Sequence, residues 1–215
     1  MMDFEPQQHS RQSDAVLLDR NRSGRRSGTG QPPTFFPAGS EIYAQGEKCR
    51  NLYEVVFGAV RIYRLMSDGR RQISAFHLPG EIFGFEPGST HHFFAEAICG
   101  TGIRALRPST SQSLADLLPM ALESLQRAHE QLLVLGRQNA IERVAAFFVE
   151  MSERQGGMRH IELPMPRSDI ADYLGLTIET VSRVFSRLKL KGVIRLSGLR
   201  NVELVKLKTL QDLAA

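Results

Sequence analysis

Residues 168–188, SDIADYLGLTIETVSRVFSRL, constrain the fold more tightly than any other stretch of the chain. Ala171, Gly175 and Val181 stand at offsets of four and ten, and each has a physical task. A small residue at 171 lets a second helix cross closely over the first. Gly175 is free to take the left-handed conformation that ends a helix inside a short turn. Val181 anchors the second helix to a core that Ile170 and Leu174 enter from the first. Ser168 is placed to cap the first helix and Thr177 the second, and the acid Asp169 suits the first helix dipole. Two short helices around a glycine turn are expected.

On the second helix Val181, Val184, Phe185 and Leu188 take the inner face. Glu179, Ser182, Arg183 and Ser186 then share one outward stripe, because offsets of three and four fall on one side. Between Thr177 and Arg200 six basic residues (Arg183, Arg187, Lys189, Lys191, Arg195 and Arg200) face one acid, Glu179, a local charge of +5 against +4 for the whole chain. Such a patch is a footprint for a polyanion; its bland alternative is a solvated basic face. In a DNA major groove Arg183 can fork onto guanine O6 and N7, Glu179 can accept from cytosine N4, and Ser182 fits beside a thymine edge. Thr177, Thr180, Ser186, Arg187, Lys189 and Arg200 fit phosphate contacts that set register. Glu179 as a helix-dipole acid, Arg183 as one more phosphate contact, and an i,i+4 pair between the two remain open alternatives.

Behind these helices GVIRLSGLRNVELVKL (192–207) alternates about a Ser-Gly turn, as a β-hairpin does. Ahead of them IELPMPR (161–167) reads as a short strand running into prolines. Strand, two helices and hairpin, after a preceding helix, is the order of a winged helix-turn-helix. That preceding helix is NAIERVAAFFVEMSER (139–154), with Val144, Phe147, Phe148 and Met151 on its apolar face and the glycines of QGG at its end.

Further upstream Leu118, Ala121, Leu125, Ala128, Leu132 and Leu135 recur at alternating spacings of three and four, the seam of a two-stranded coiled coil. The alternative is a helix laid on the chain's own core. Asn139 is either the next seam position or the break before the second helix. Between residues 35 and 107 short apolar runs, NLYEVVF, AVRIYRLM and RQISAFHL, alternate with Gly46, Gly58, Gly69 and Gly80. Turn signals at this spacing predict a small β-sandwich or roll, with MSDGRRQ as a hairpin turn. The expected architecture is α+β. It has a mobile tail over 1–33, ending RNRSGRRSGTGQPP, and a jelly-roll-like β-roll over 34–110. A dimerisation helix follows over 111–138 and a winged helix-turn-helix over 139–215.

Cys49 and Cys99 form no CxxC and are too few for a 4Fe–4S cluster, which needs about four thiolates. This usage predicts a reducing cytoplasm and two packing residues, although Cys49 after Lys48 is a candidate reactive thiol. No run is apolar and long enough to predict a membrane span. A metal-binding barrel enzyme is the competing class, prompted by His77, His91, His92 and Glu96. Adjacent histidines on a strand point to opposite faces, which argues against it. No enzyme activity, cofactor or metal is expected.

The β-roll pattern, the long helix and the ExxSR of 179–183 together resemble the Crp/Fnr superfamily of bacterial transcription regulators, and 139–154 with LPMPRSDIADYLGLTIETVSRVFSRLKLKGVI is similar to its FixK-type branch. The resemblance covers about residues 35–210. It implies a homodimer on double-stranded DNA, with a palindrome of the TTGAT-N4-ATCAA kind in which Glu179, Ser182 and Arg183 match the base-reading positions. It also implies activation by touching RNA polymerase, for genes of low-oxygen respiration or nitrogen metabolism. Cyclic-AMP binders of the superfamily carry a ribose-binding Glu where Phe85 stands and an Arg-Ser pair where STHHFFAEA has none. A buried phosphate without its arginine is badly compensated. The tail has no cysteine for an oxygen-sensing cluster. A regulator active without a small effector is implied; the alternative is a β-roll that binds haem or another small ligand.

Overall fold

The computed structural model describes residues 32–106 and 114–214. The expected tail up to residue 31, the end of the roll after Leu106 and the first residues of the long helix lie outside them. Eight strands come first: β1 (Thr34–Phe36), β2 (Glu41–Tyr43), β3 (Leu52–Phe57), β4 (Val60–Leu65), β5 (Arg71–His77), β6 (Ile82–Phe83), β7 (Phe94–Ala97) and β8 (Thr101–Leu106). They pair in two antiparallel sheets, ordered β1-β8-β3-β6 and β2-β7-β4-β5. Alternation puts Val55, Val60, Ile62 and Ile103 inside, with Tyr43 and Phe83 closing the core. All four glycines of the expected spacing have positive φ, from 82° to 89°. At Gly58 there is a second reason: a Cβ would lie 2.7 Å from the Gly100 carbonyl. The β4–β5 hairpin turns at Gly69, whose N–H donates to the Met66 carbonyl at 2.9 Å.

Helix α1 (Leu114–Leu135) follows, then α2 (Ala140–Arg154), β9 (His160–Glu162), α3 (Arg167–Leu174), α4 (Ile178–Leu190), β10 (Ile194–Leu196), β11 (Asn201–Leu204) and α5 (Leu207–Ala214). Asn139 is the break between α1 and α2, at the N-cap position of α2, with its side chain bonded to Glu142. The wing is antiparallel, ordered β10-β11-β9. Sequence reading missed α5. Leu207, Leu210 and Leu213 recur every three residues there, and Leu210 is fully buried.

The expected seam and the alternative laid against it both find support on α1. Leu118, Leu125 and Leu132 are at least half exposed, joined by Leu122 and Leu133 outside the expected pattern. Ala121 and Leu135 are half-buried, and Ala121, Leu125 and Ala128 also line a cavity against the roll. Pro119 sits inside the helix, where its missing N–H forfeits one backbone bond. Roll and winged segment are not separately cored. Ile73, Phe76 and Leu78 pack into one buried cluster with Phe147, Met151, Ile170 and Tyr173, and the Phe76 and Tyr173 rings lie 4.9 Å apart. Among the described residues no helix is long and apolar enough to cross a membrane.

Candidate nucleic-acid interface

The bihelical unit is built as its spacing requires, with one correction. Ala171, Val181, Ile170 and Leu174 are buried, and Gly175 ends α3 at φ 61°, ψ 40°. No added Cβ would clash at Gly175, so conformation alone selects glycine. Ser168 is not the cap. Pro166, extended at φ −72°, holds that position, and Ser168 falls inside the first turn of α3. The proline's fixed φ suits the approach to a helix, so the chain turns helical at Arg167, one residue before the serine. Thr177 does cap α4, its hydroxyl accepting from the Thr180 N–H at 3.2 Å.

On α4 the side chains of Val181, Val184, Phe185 and Leu188 are buried while Glu179, Ser182, Arg183, Ser186, Arg187 and Lys189 are exposed. Thr177 is exposed beside them, Thr180 half-buried, and Arg200 exposed on the wing. Arg183 does not bond Glu179; its Nη2 donates to Thr180 Oγ1 at 3.3 Å. The Glu179 carboxyl is held below its ordinary range by its own backbone N–H, then by the Thr177 hydroxyl and the Arg183 charge. It stays ionised as an acceptor. Arg195 pairs across the wing with Glu203, which removes one cation from the local excess.

Arg167, at the start of α3, is a further cation of the bihelical unit that was not read from the sequence. Its guanidinium stacks 3.3 Å above the Phe185 ring at the N-terminus of α3, and burial lowers its pKa to about 10. The signal available was a cation at the first position of the first helix, 18 residues before its aromatic support.

A cavity of about 390 Å³ lies between the roll and α1, α2 and α3, lined by Tyr43, Phe85, Arg127, Glu150, Arg154 and Tyr173 among others. Neither cation in it is free. Arg154 bonds Glu81 and Glu150, and Arg127 pairs with Glu123 and lies 3.7 Å from Glu81. His91, in the segment expected to lack a phosphate-gripping arginine, is buried and stacked 3.6 Å from Tyr43. Its neighbour His92 points outward to solvent and bonds Glu86. Glu96 is paired with Arg61, and His77 stacks on Phe83, so the four residues of the metal alternative are not brought together. Among the described residues no group of three or more His, Cys, Asp or Glu could hold a metal ion. Cys49 and Cys99 are free and half-buried. Burial and the Glu86 charge raise the Cys49 pKa, which works against the thiolate that a reactive cysteine needs.

Comparison with known proteins agrees with this geometry. Residues 142–213 match the Crp-like helix-turn-helix domain and residues 33–112 the cyclic nucleotide-binding domain. The nitrogen fixation regulation protein FixK of Rhizobium meliloti is 55% identical over 181 residues, covering 84% of this chain and 85% of that protein. The chain belongs to the Crp/Fnr family of transcription regulators, in its FixK branch. A FixK protein of Azorhizobium caulinodans is 42% identical over 79% of this chain and 74% of its own length. The solved structure of FixK2 from Bradyrhizobium japonicum superposes with a TM-score of 0.79 at 44% identity, covering 85% of this chain and 98% of that one. As a Crp/Fnr regulator the chain is a DNA-binding protein and not an enzyme, and its helix-turn-helix is α3 and α4.

Proposed function

We propose that two copies pair along α1 and present their α4 helices to a TTGAT-N4-ATCAA-like palindrome, activating transcription by touching RNA polymerase. The observation that carries this reading is the open stripe of Glu179, Ser182 and Arg183 on a helix whose inner face is fully packed. Glu179 and Arg183 supply an acceptor and a forked donor for base edges. Thr177, Thr180, Ser186, Arg187, Lys189 and Arg200, with Arg167, surround them as phosphate contacts. The exposed leucines of α1 support pairing, since two recognition helices must reach successive major grooves about 34 Å apart. The division into a tail over 1–33, a roll over 34–110, a dimer helix over 111–138 and a winged head over 139–215 is part of the proposal, as is a cytoplasmic site of action.

The roll acts without cyclic nucleotide. The cavity's two arginines are already matched by carboxylates, so a cyclic phosphate entering it would meet no free cation. The nitrogen fixation regulation in the names of the FixK relatives favours target genes of nitrogen metabolism, and genes of low-oxygen respiration are included in the proposal. Unbiased selection of DNA by the purified protein, with and without cyclic AMP, tests the whole reading. A palindrome recovered equally in both arms is expected; a palindrome recovered only with the nucleotide would sink effector independence. The cavity itself favours a second reading, an apolar ligand or haem in the roll, which an absorption spectrum of the purified protein decides.

A further inference from the structure

Helix α3, the first helix of the reading head, is held at both ends by parts of the chain far from it. Near its N-terminus the Asp169 carboxylate, with a side chain 2% exposed, accepts from Arg61 Nη1 at 2.7 Å and from Arg71 Nη2. Arg71 also forks onto Asp172, through Nε at 3.0 Å and Nη2 at 2.8 Å. Gln72 donates to the Asp172 carbonyl at 2.7 Å. Arg61, Arg71 and Gln72 all belong to the β4–β5 hairpin. Glu96 on β7 anchors Arg61 from behind, and the Tyr63 ring lies 5.6 Å from Arg71. At the other end, Gln131 of α1 donates to the Tyr173 carbonyl at 2.7 Å, and Arg143 of α2 to that of Leu174 at 3.1 Å.

We propose that Arg61 and Arg71 are positioning residues for DNA reading: with Asp169 and Asp172 they clamp each head to the roll at the angle a palindrome requires. The proposal rests on dimeric operator binding as set out above. Three observations carry it. Asp169 lies outside the apolar core of the bihelical unit, Ile170, Leu174, Val181 and Phe185, yet it is buried and its carboxylate is held by two arginines of the roll. The clamp is charged and mostly shielded from solvent, so salt that weakens DNA contacts leaves it largely intact. In the clamped state the outward stripe of α4 is open, so the clamp holds a head that is ready to read. It occupies the place an effector would otherwise take in selecting one orientation. Removing one partner strands a buried charge, so α3 shifts on the core that roll and head share and the angle of the head changes.

A single half-site is read by one head, whatever its angle to the other; a palindrome demands both angles at once. The test uses the full-length dimer with Arg71→Met, Asp169→Asn and the milder Asp172→Asn. Binding is measured to one half-site, to the full palindrome, and to palindromes with the spacer changed by one base pair. Expected are half-site binding within about twofold of the unaltered protein, palindrome affinity lower by on the order of tenfold, and loss of spacer preference. Arg71→Lys restores part of that preference. Equal losses on half-site and palindrome would mean that the clamp only stabilises α3. Tighter palindrome binding would make it an inhibitory clasp. Spacer preference unchanged in all three variants would overturn the proposal outright. If the unaltered protein does not prefer the palindrome to random DNA, the operator reading has failed instead.

Discussion

Asp169 on α3 accepts a 2.7 Å hydrogen bond from Arg61 on β4, a residue 108 positions earlier in the chain. The pair is nearly closed to solvent, so the first helix of the DNA-reading unit and the roll are mechanically one body. A carboxylate beside the first turn of a helix gains modestly from the dipole. One held by two guanidinium groups in a shielded site is bound far more firmly.

Base reading by α4 is tested at Arg183. Arg183→Ala is expected to cost about 1–3 kcal/mol on the operator and to relax preference at one base position. Competition binding against operators varied at each base measures both effects. Equal loss on operator and random DNA would remove Arg183 from the base-reading set.

Phosphate contacts behave differently. Lys189→Ala and Arg167→Ala should each weaken all sequences alike and lower the salt slope of log K by about one. Phe185→Leu should reproduce part of the Arg167 loss while that arginine is still present, because the ring that holds the guanidinium is gone. Fluorescence anisotropy across a salt series reads both.

Pairing along α1 is tested at Leu132, which is 65% exposed in the single chain. Leu132→Glu should yield a folded monomer with poor palindrome binding, seen by sedimentation. An unchanged dimer mass would count against the seam.

The cap of α4 is local. Thr177→Ala removes the hydroxyl that satisfies the Thr180 N–H, at a cost of about 1 kcal/mol in stability by chemical denaturation.

His77 makes stability fall in acid. Burial first, then the Arg154 and Arg127 charges, lower its pKa to about 3, with Glu81 acting the other way. Its unfolded value is about 6.5, so between these limits the unfolded chain binds the extra proton. The contribution is fully present above about pH 6.5 and declines by up to about 1.4 kcal/mol per pH unit below it. His77→Gln should flatten that limb of the pH–stability curve.

What the residues determined alone was what a short repeat or spacing encodes over enough of the chain to be read. The offsets among Ala171, Gly175 and Val181, the spaced turn glycines and the alternating wing follow from steric limits that act within a few residues. Their consequence, an α4 with a packed inner face and an open outer one, is legible in the sequence. Ser168 was misread because its capping chemistry is generic, whereas Pro166 sets the helix entry through its own φ. α5 was missed because its apolar repeat is only eight residues long and is stabilised by docking, not by propensity. Tertiary structure alone decided the partners of Asp169, the support of Arg167 on Phe185 and the approach of Glu81 to the cavity's two arginines. These are pairings between charges or rings far apart in the chain, and no periodicity in the sequence records which distant side chain will close on which. The sequence could place Asp169 on a helix; only the packed roll could bury it.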